Sequence, residues 1–314
     1  MADSLLASSY GKFVLNDFEF FGDYVLPDEQ QTPKALGTTI TTANKDIDYT
    51  KFQFLVVVGA NLDGFLGLAY PDFNVGQSSS DGATIIPLVV IDAGATPMAD
   101  FPRVVAHELL HVRGIAGHAN LLTFPSRTIG TFDLQLLSKP GQLNNSGNYA
   151  LGDGGMVTQY GDCFDAMNSG FAGAHLNVVL KNQLGWLENR SENITKSGVY
   201  TIHPLESSGN GTVVLKVPWP GSTHRFAFYL EYRTITPNGT PEVQIRIGSD
   251  EHPYVGSWLI DTTITESKQG PSKGGKCSNY GLEVGKVFTD PNTGILFERL
   301  GDENGAASVR VVIP

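Results

Sequence analysis

Cysteine is nearly absent: Cys163 and Cys277 are the only two in 314 residues. They permit one disulfide and exclude a cysteine-rich framework or a cysteine-based zinc site. Basic residues are scarce as well. Lys and Arg number 21 against 32 Asp and Glu, a net charge of −11, which argues against nucleic acid or an anionic membrane as the main partner. No apolar stretch approaches the ~20 residues of a spanning helix. The longest, Phe54 to Val58, has the length of a buried strand. The opening residues, Met1 to Ala7, lack the basic and apolar regions of a signal peptide. Low charge (17%), 36 glycines and 41% hydrophobic residues exclude coiled-coil and disordered classes and leave a loop-rich globular protein with a sizeable core.

What is present favours a trimmed secreted protein over a cytosolic one. Asn-X-Ser/Thr sequons stand at Asn144, Asn189, Asn193, Asn210 and Asn238. Along the chain, Ser9 to Leu15 reads as a turn entering a strand and Ala35 to Ala43 as a helix. Phe52 to Val58 and Thr84 to Ile91 read as strands, with Pro87 placing the first half of the second at an edge or bulge. Gly59 to Gly82 and residues 119–166 read as mostly loop, and Ala172 to Leu187 as a helix ending at Gly185. After Ser191 the pattern changes to short β-rich runs between Gly, Pro and Asn turns: 198–204, 212–217, 225–233, 242–247, 257–260 and 308–313. That predicts two domains, residues 1–190 and an all-β, sandwich-like module over 191–314.

The segment Asp100 to Gly114 carries the chemistry. Asp100 can cap a helix, Pro102 suits its first turn, and Gly114 suits the left-handed position that ends it. Within this helix stand His107, Glu108 and His111. Residues four apart share one face, so the two imidazoles can hold one Zn²⁺. Glu108 lies beside the open coordination position, where it can take a proton from a metal-activated water. The alternative is a coincidental spacing on an amphipathic helix; its place in a predicted helix that follows a strand favours zinc.

A catalytic zinc normally has three protein ligands. In the metzincin pattern, His-Glu-x-x-His-x-x-Gly-x-x-His, the glycine stops the helix and swings a third histidine onto the metal. Here Gly114 keeps its place, but the histidine falls one residue late, at His118, with Gly117 where the pattern has His. Gly117 makes a wider turn sterically cheap, which favours His118 as a ligand over a plain loop histidine. The rival is Asp133. Gly130 to Asp133 is similar to the Gly-Thr-x-Asp piece of another zinc-peptidase clan, although the rest of that clan's motif is missing. Downstream, Met167 in the block Tyr160 to Asn168 is a candidate for the methionine turn that completes the metzincin signature; a lone methionine is otherwise core filler.

Taken together these blocks resemble the gametolysin-like zinc peptidases, close to the immune-inhibitor-A-like ones. The resemblance rests on Ser9 to Lys12, Asp48 to Phe52, Ala106 to Leu109, Gly117 to Asn120, Tyr160 to Asp162 with Asp165 and Met167, His175 to Asn177, and Gln183 to Leu187. Tyr229 to Arg233 and Val284 to Gly294 are similar to the family's C-terminal β-module. The likeness runs from about Ser8 to the end. It implies an α+β metzincin-like catalytic domain, a mixed twisted sheet plus the active-site helix, followed by the β-module. It also implies a mature secreted endopeptidase, freed of a pro-segment, that hydrolyses extracellular-matrix or cell-wall glycoproteins.

Other candidates have weaker support. Tyr160 and His175 are candidate oxyanion or substrate contacts, against a reading of both as structural. Asp153, Asp162 and Asp165, near glycine-rich loops, form a candidate Ca²⁺ site, against plain solvated acidic loops. Cys163 and Cys277 either form a disulfide or remain two buried thiols. A second functional class stays open: a catalytically degenerate relative that binds glycan or protein through the β-module. An intact Glu108 argues against it, since a retired site needs no base. Protein or peptide substrate is the expected partner, and the sequence fixes no oligomeric state.

Overall fold

Leu88, Val89, Val90 and Ile91 are all fully or almost fully buried, which requires apolar cover on both faces of one strand. In the computed structural model that strand, β3 (Ile85–Asp92), is the centre of a three-stranded sheet ordered β1-β3-β2. β1 (Leu55–Gly59) runs parallel to it and β2 (Gly67–Asn74) antiparallel. The structure describes residues 2–24, 35–59, 65–74, 85–123, 148–150, 156–168, 175–221, 226–236, 239–250, 256–263 and 279–314. The chain forms two compact units. One comprises Met1–Asp3 and Val14–Gly114, the other Ser4–Phe13 and Ile115–Pro314.

In the first unit Pro87 does sit at a bulge, in the first half of β3, which pairs with β2 alone. Pairing with β1 begins at Leu88, after the proline. On the other side the register jumps between Tyr70 and Phe73, so Pro71 and Asp72 stand opposite Pro87. The ring therefore interrupts no regular ladder hydrogen bond. β2 itself lies in the stretch expected to be loop. β1 is an edge strand and is only half covered: Val58 is 54% exposed, so the run read as fully buried alternates instead. The helix expected at Ala35 to Ala43 is present as α2 (Ala35–Ala43), after α1 (Ala2–Ser8). Ile40, Ala43 and Tyr49 pack on Ile86 in one cluster. The Tyr49 hydroxyl donates to Ile40 O at 2.8 Å. No strand forms at Phe13 to Leu15, where the chain is irregular.

The helix that carries the histidines is α3 (Phe101–Val112), packed against β2 and β3. Asp100 precedes it but makes no side-chain cap; its carboxylate instead pairs with Arg103 Nε at 3.7 Å. Gly114, at φ 105°, takes the left-handed position that ends the helix.

The second unit is sheet-rich. Its eight-stranded sheet is ordered β5-β6-β4-β12-β11-β10-β9-β7. The strands are β4 (Ala119–Thr123), β5 (Asn148–Ala150), β6 (Met156–Thr158), β7 (Ser191–Asn193), β9 (Val214–Pro218), β10 (Phe226–Arg233), β11 (Glu242–Ser249) and β12 (Ser257–Ile260). A four-stranded sheet is ordered β13-β14-β15-β8, from β8 (Gly198–Ile202), β13 (Val287–Thr289), β14 (Leu296–Glu303) and β15 (Ala306–Val312).

Strand period decides what each face of the larger sheet meets. Phe226, Phe228, Leu230 and Tyr232 of β10, with Val243, Ile245 and Ile247 of β11, join Phe297, Val309 and Val311 in one core. Phe228 meets the Phe297 ring edge-on at 5.3 Å. Burying each such ring contributes about 1.5–3 kcal/mol. The alternate residues face the other way. Ala227 and Tyr229 cluster with Val178 and Val179 of α4 (Val178–Gln183), while Glu231, Arg233 and Arg246 enter a buried polar network described below. Both faces are covered, so every residue of β10 and β11 is buried.

The sandwich-like packing of the C-terminal strands thus matches expectation, and the chain as a whole mixes helix with predominant sheet. The boundary does not match. β4, just after the helix of the histidines, pairs in parallel with β12 of the C-terminal half, Ala119 opposite Ser257 through Leu122 opposite Ile260. β5 and β6 extend the same sheet. Residues expected to belong to the first domain are therefore built into the second unit, and the compact units part after Gly114, not at 190.

Candidate metal centre

Within α3 every residue from Val104 to Leu110 is buried. His107 is 8% exposed and Glu108 7%. The His107 and His111 rings stand one helical turn apart, centroids 4.9 Å from each other at 80°. His118 follows the Gly114 turn. One ligand atom each of His107, His111 and His118 lie within 4.8 Å of one another, a group that could hold a metal ion. The donor set fits zinc. Three imidazole nitrogens at about 2.0–2.1 Å from one ion stand about 3.3 Å apart.

Glu108 is set by a glycine that the sequence reading did not single out. A Cβ on Gly67, at the start of β2, would fall 2.8 Å from Glu108 Cγ, 2.9 Å from its Oε1 and 2.9 Å from Val104 Cγ1. The bare backbone of β2 lets the carboxylate lie against the strand. Burial pushes the Glu108 carboxyl up to about 7; a dication beside it acts the other way.

His118 is held by its backbone. Ser257 N–H and the Asn120 side-chain amide both donate to His118 O, each at 3.1 Å. A Cβ on Gly256 (φ 69°) would fall 2.3 Å from that oxygen, so only glycine fits there. The Tyr160 ring lies 4.0 Å from the His118 ring, tilted by 41°. Tyr160 adopts a left-handed φ of 57° that its bulk disfavours, and its N–H donates to Asn120 Oδ1 at 3.2 Å. Of the two candidate substrate contacts, Tyr160 therefore packs on a candidate ligand. His175 is not in the metal-competent group found among the described residues.

Met167 is fully buried, and its carbonyl accepts Ala119 N–H, the residue after His118, at 3.3 Å. Its turn is fixed by carboxylates. Asp165 accepts Met167 N–H at 2.6 Å on one oxygen and Asn177 N–H at 2.5 Å on the other. Asp162 accepts Phe164 N–H at 3.0 Å and pairs with Arg246. Arg246 and Arg233 share Glu231 Oε1 at 2.9 and 2.8 Å, and Glu231 Oε2 accepts Val178 N–H. Asn177 caps α4 and donates to Ser257 Oγ at 2.7 Å. One continuous buried network thus ties the strand that grips His118 to the methionine turn.

Burial alone would raise Glu231, yet Arg233 and Arg246 hold it down at about 2. Burial, and next the charge of Asp162, push Asp165 up to about 7. The calcium expectation is corrected here: Asp162 and Asp165 are wholly buried and committed to protein donors, and Asp153 lies outside the described residues. So do Asp133 and Cys277; Cys163 is disulfide-bonded.

Met167→Leu keeps volume, so it should cost about 1 kcal/mol in urea unfolding and leave the affinity for a bound metal unchanged. A large affinity loss would mean that the sulfur does more than fill space. His175 is held down to about 3, first by burial and then by Lys181 and Arg233. A histidine depressed on folding takes up its proton in the unfolded chain first. Stability is then lost as pH falls below about 6.5, by up to about 1.4 kcal/mol per unit. Between pH 6.5 and 5 the wild type should lose about 2 kcal/mol more than His175→Gln. Parallel pH profiles from chemical denaturation would refute this.

In comparisons with known proteins, no family model matches this chain, and no curated protein or solved structure is significantly similar to it.

Proposed function

We propose that this chain is a zinc-dependent endopeptidase of metzincin type, similar to gametolysin-like peptidases. The observation that carries the reading is the convergence of His107, His111 and His118 within 4.8 Å, with Glu108 next in the chain to His107. His107 and His111 supply two imidazoles from one helix face, and His118 supplies the third. When bound, zinc supplies a Lewis acid that acidifies water and polarises a peptide carbonyl. Glu108 receives the proton on its carboxylate, carries it in a largely water-excluded position, and returns it to the leaving amine. Tyr160 lines the same place through its ring contact with His118.

The substrate class is protein or peptide, and the setting is extracellular. The disulfide on Cys163 supports an oxidising compartment. Sequon residues Asn189, Asn193 and Asn210 are exposed, as glycan acceptors must be; Asn144 and Asn238 lie outside the described residues. No helix among the described residues is long and apolar enough to cross a membrane. The test is metal analysis of the purified chain together with cleavage of a denatured protein, with and without chelator. One zinc per chain and chelator-sensitive cleavage are expected; cleavage indifferent to chelator would sink the reading.

A further inference from the structure

In the second unit Lys181, Arg233 and Arg190 bury N–H groups for which the described residues supply too few acceptors. Lys181, on α4, is fully buried, and its Nζ has no hydrogen-bond partner among the described residues. Arg233 uses Nε on Glu231 and Nη1 on His175 O, but its buried Nη2 has no hydrogen-bond partner among the described residues. Arg190 uses Nε on Gly211 O, and its Nη2 is likewise buried without a hydrogen-bond partner among the described residues. His175 Nδ1, on a ring that burial keeps neutral, is also without a hydrogen-bond partner among the described residues. Lys181 Nζ and Arg190 Cζ both lie over the Tyr10 ring, 4.1 and 4.5 Å from its centre.

Lys181 offers three N–H, and the two Nη2 atoms offer two each. Against these, the unpartnered carboxylate oxygen close by is Glu206 Oε1, whose other oxygen already holds Thr234. Buried ionic donors without acceptors are strongly destabilising, so an acceptor from outside the chain belongs here. A water molecule would accept but would also bring two hydrogens that need acceptors of their own. A halide only accepts, and it brings the charge that Lys181 lacks. Burial, and next the charge of Arg233, hold the Lys181 ammonium far below its ordinary value; an anion at Nζ acts in the opposite direction.

We propose that Lys181, Arg233 and Arg190 bind one small inorganic anion of halide size. The Tyr10 ring covers the two cations it faces, and its hydroxyl is turned away onto Leu205 O at 2.7 Å. The anion therefore ties the Ser9–Phe13 turn to α4 and β10. This structural ion is independent of the zinc reading.

Bromide is the probe. In sodium bromide against sodium gluconate at matched ionic strength, the unfolding midpoint should climb on the order of five degrees per 100-fold rise in bromide. Lys181→Met should abolish that dependence. Should the variant fail to fold, two measurements on the wild type decide. Bromide-81 line broadening should saturate at one site per chain. Anomalous diffraction from bromide-grown crystals should show a peak among Lys181 Nζ, Arg233 Nη2 and Arg190 Nη2. A water in that position, bromide only at exposed side chains, or a Lys181→Met chain with unchanged bromide dependence each overturns the proposal.

Discussion

Glu108→Gln should leave zinc in place and cut peptide hydrolysis by about 10²–10⁴-fold, the usual contribution of a general base. The amide is nearly isosteric with the carboxylate, so it still fits beneath Gly67, where the backbone of β2 leaves room for a side-chain oxygen but not for a Cβ. His107 and His111 keep their face of α3, and His118 keeps its backbone grip. The only loss is an atom that can accept a proton and return it. The signature is therefore a fall in kcat with little change in KM, since the substitution removes an interaction made in the transition state and not in ground-state binding. Zinc content by elemental analysis should match the wild type. Near-normal turnover on a denatured protein would end the proposed mechanism, whatever the metal content. A variant that lost metal as well would place Glu108 in the ligand shell instead of beside it.

Local order was legible in the sequence wherever a short segment carries its own signal. The spacing of His107 and His111, the proline near the start of α3 and the glycine after it each act within a turn of helix, and α3 lies where they place it. The strand runs near the C-terminus were legible for the same reason: apolar and polar residues alternate with Gly, Pro and Asn between them. What sets the third histidine was not legible. It depends on Gly256 and Ser257, which lie far along the chain and meet His118 only because β12 pairs with β4. A lone Gly-Ser pair at the head of a strand carries no sign of that partner. Gly67 escaped for the same reason, because its requirement comes from α3 packed over β2. The carboxylates Asp162 and Asp165 looked like loop ligands for calcium, since sequence gives no view of Arg246, whose guanidinium reaches across from β11. The domain boundary failed because composition changes near residue 190, whereas sheet pairing ignores composition and recruits Ala119–Thr123 into the later strands.

His118→Ala should weaken zinc binding by well over the roughly 100-fold that loss of an outer-shell partner costs, because it removes one of three imidazoles from the group. The offset of one residue from the metzincin spacing does not prevent the reach, since Ile115, Ala116 and Gly117 provide enough backbone after the Gly114 turn, at about 3.3–3.6 Å per extended residue. The delivery of His118 rests on its carbonyl, held by Ser257 and Asn120. That predicts a graded series. Gly256→Ala forces a Cβ into the space 2.3 Å from His118 O, which displaces the ligand's backbone without touching its ring. Its zinc affinity should fall between that of the wild type and that of His118→Ala. Asp133→Ala should bind zinc as the wild type does. Competition with a chromogenic chelator measures all three. The opposite ranking, with Asp133→Ala crippled and His118→Ala near normal, would assign the third ligand to Asp133 and move the chain to another zinc-peptidase clan, leaving His107, His111 and Glu108 in their proposed roles.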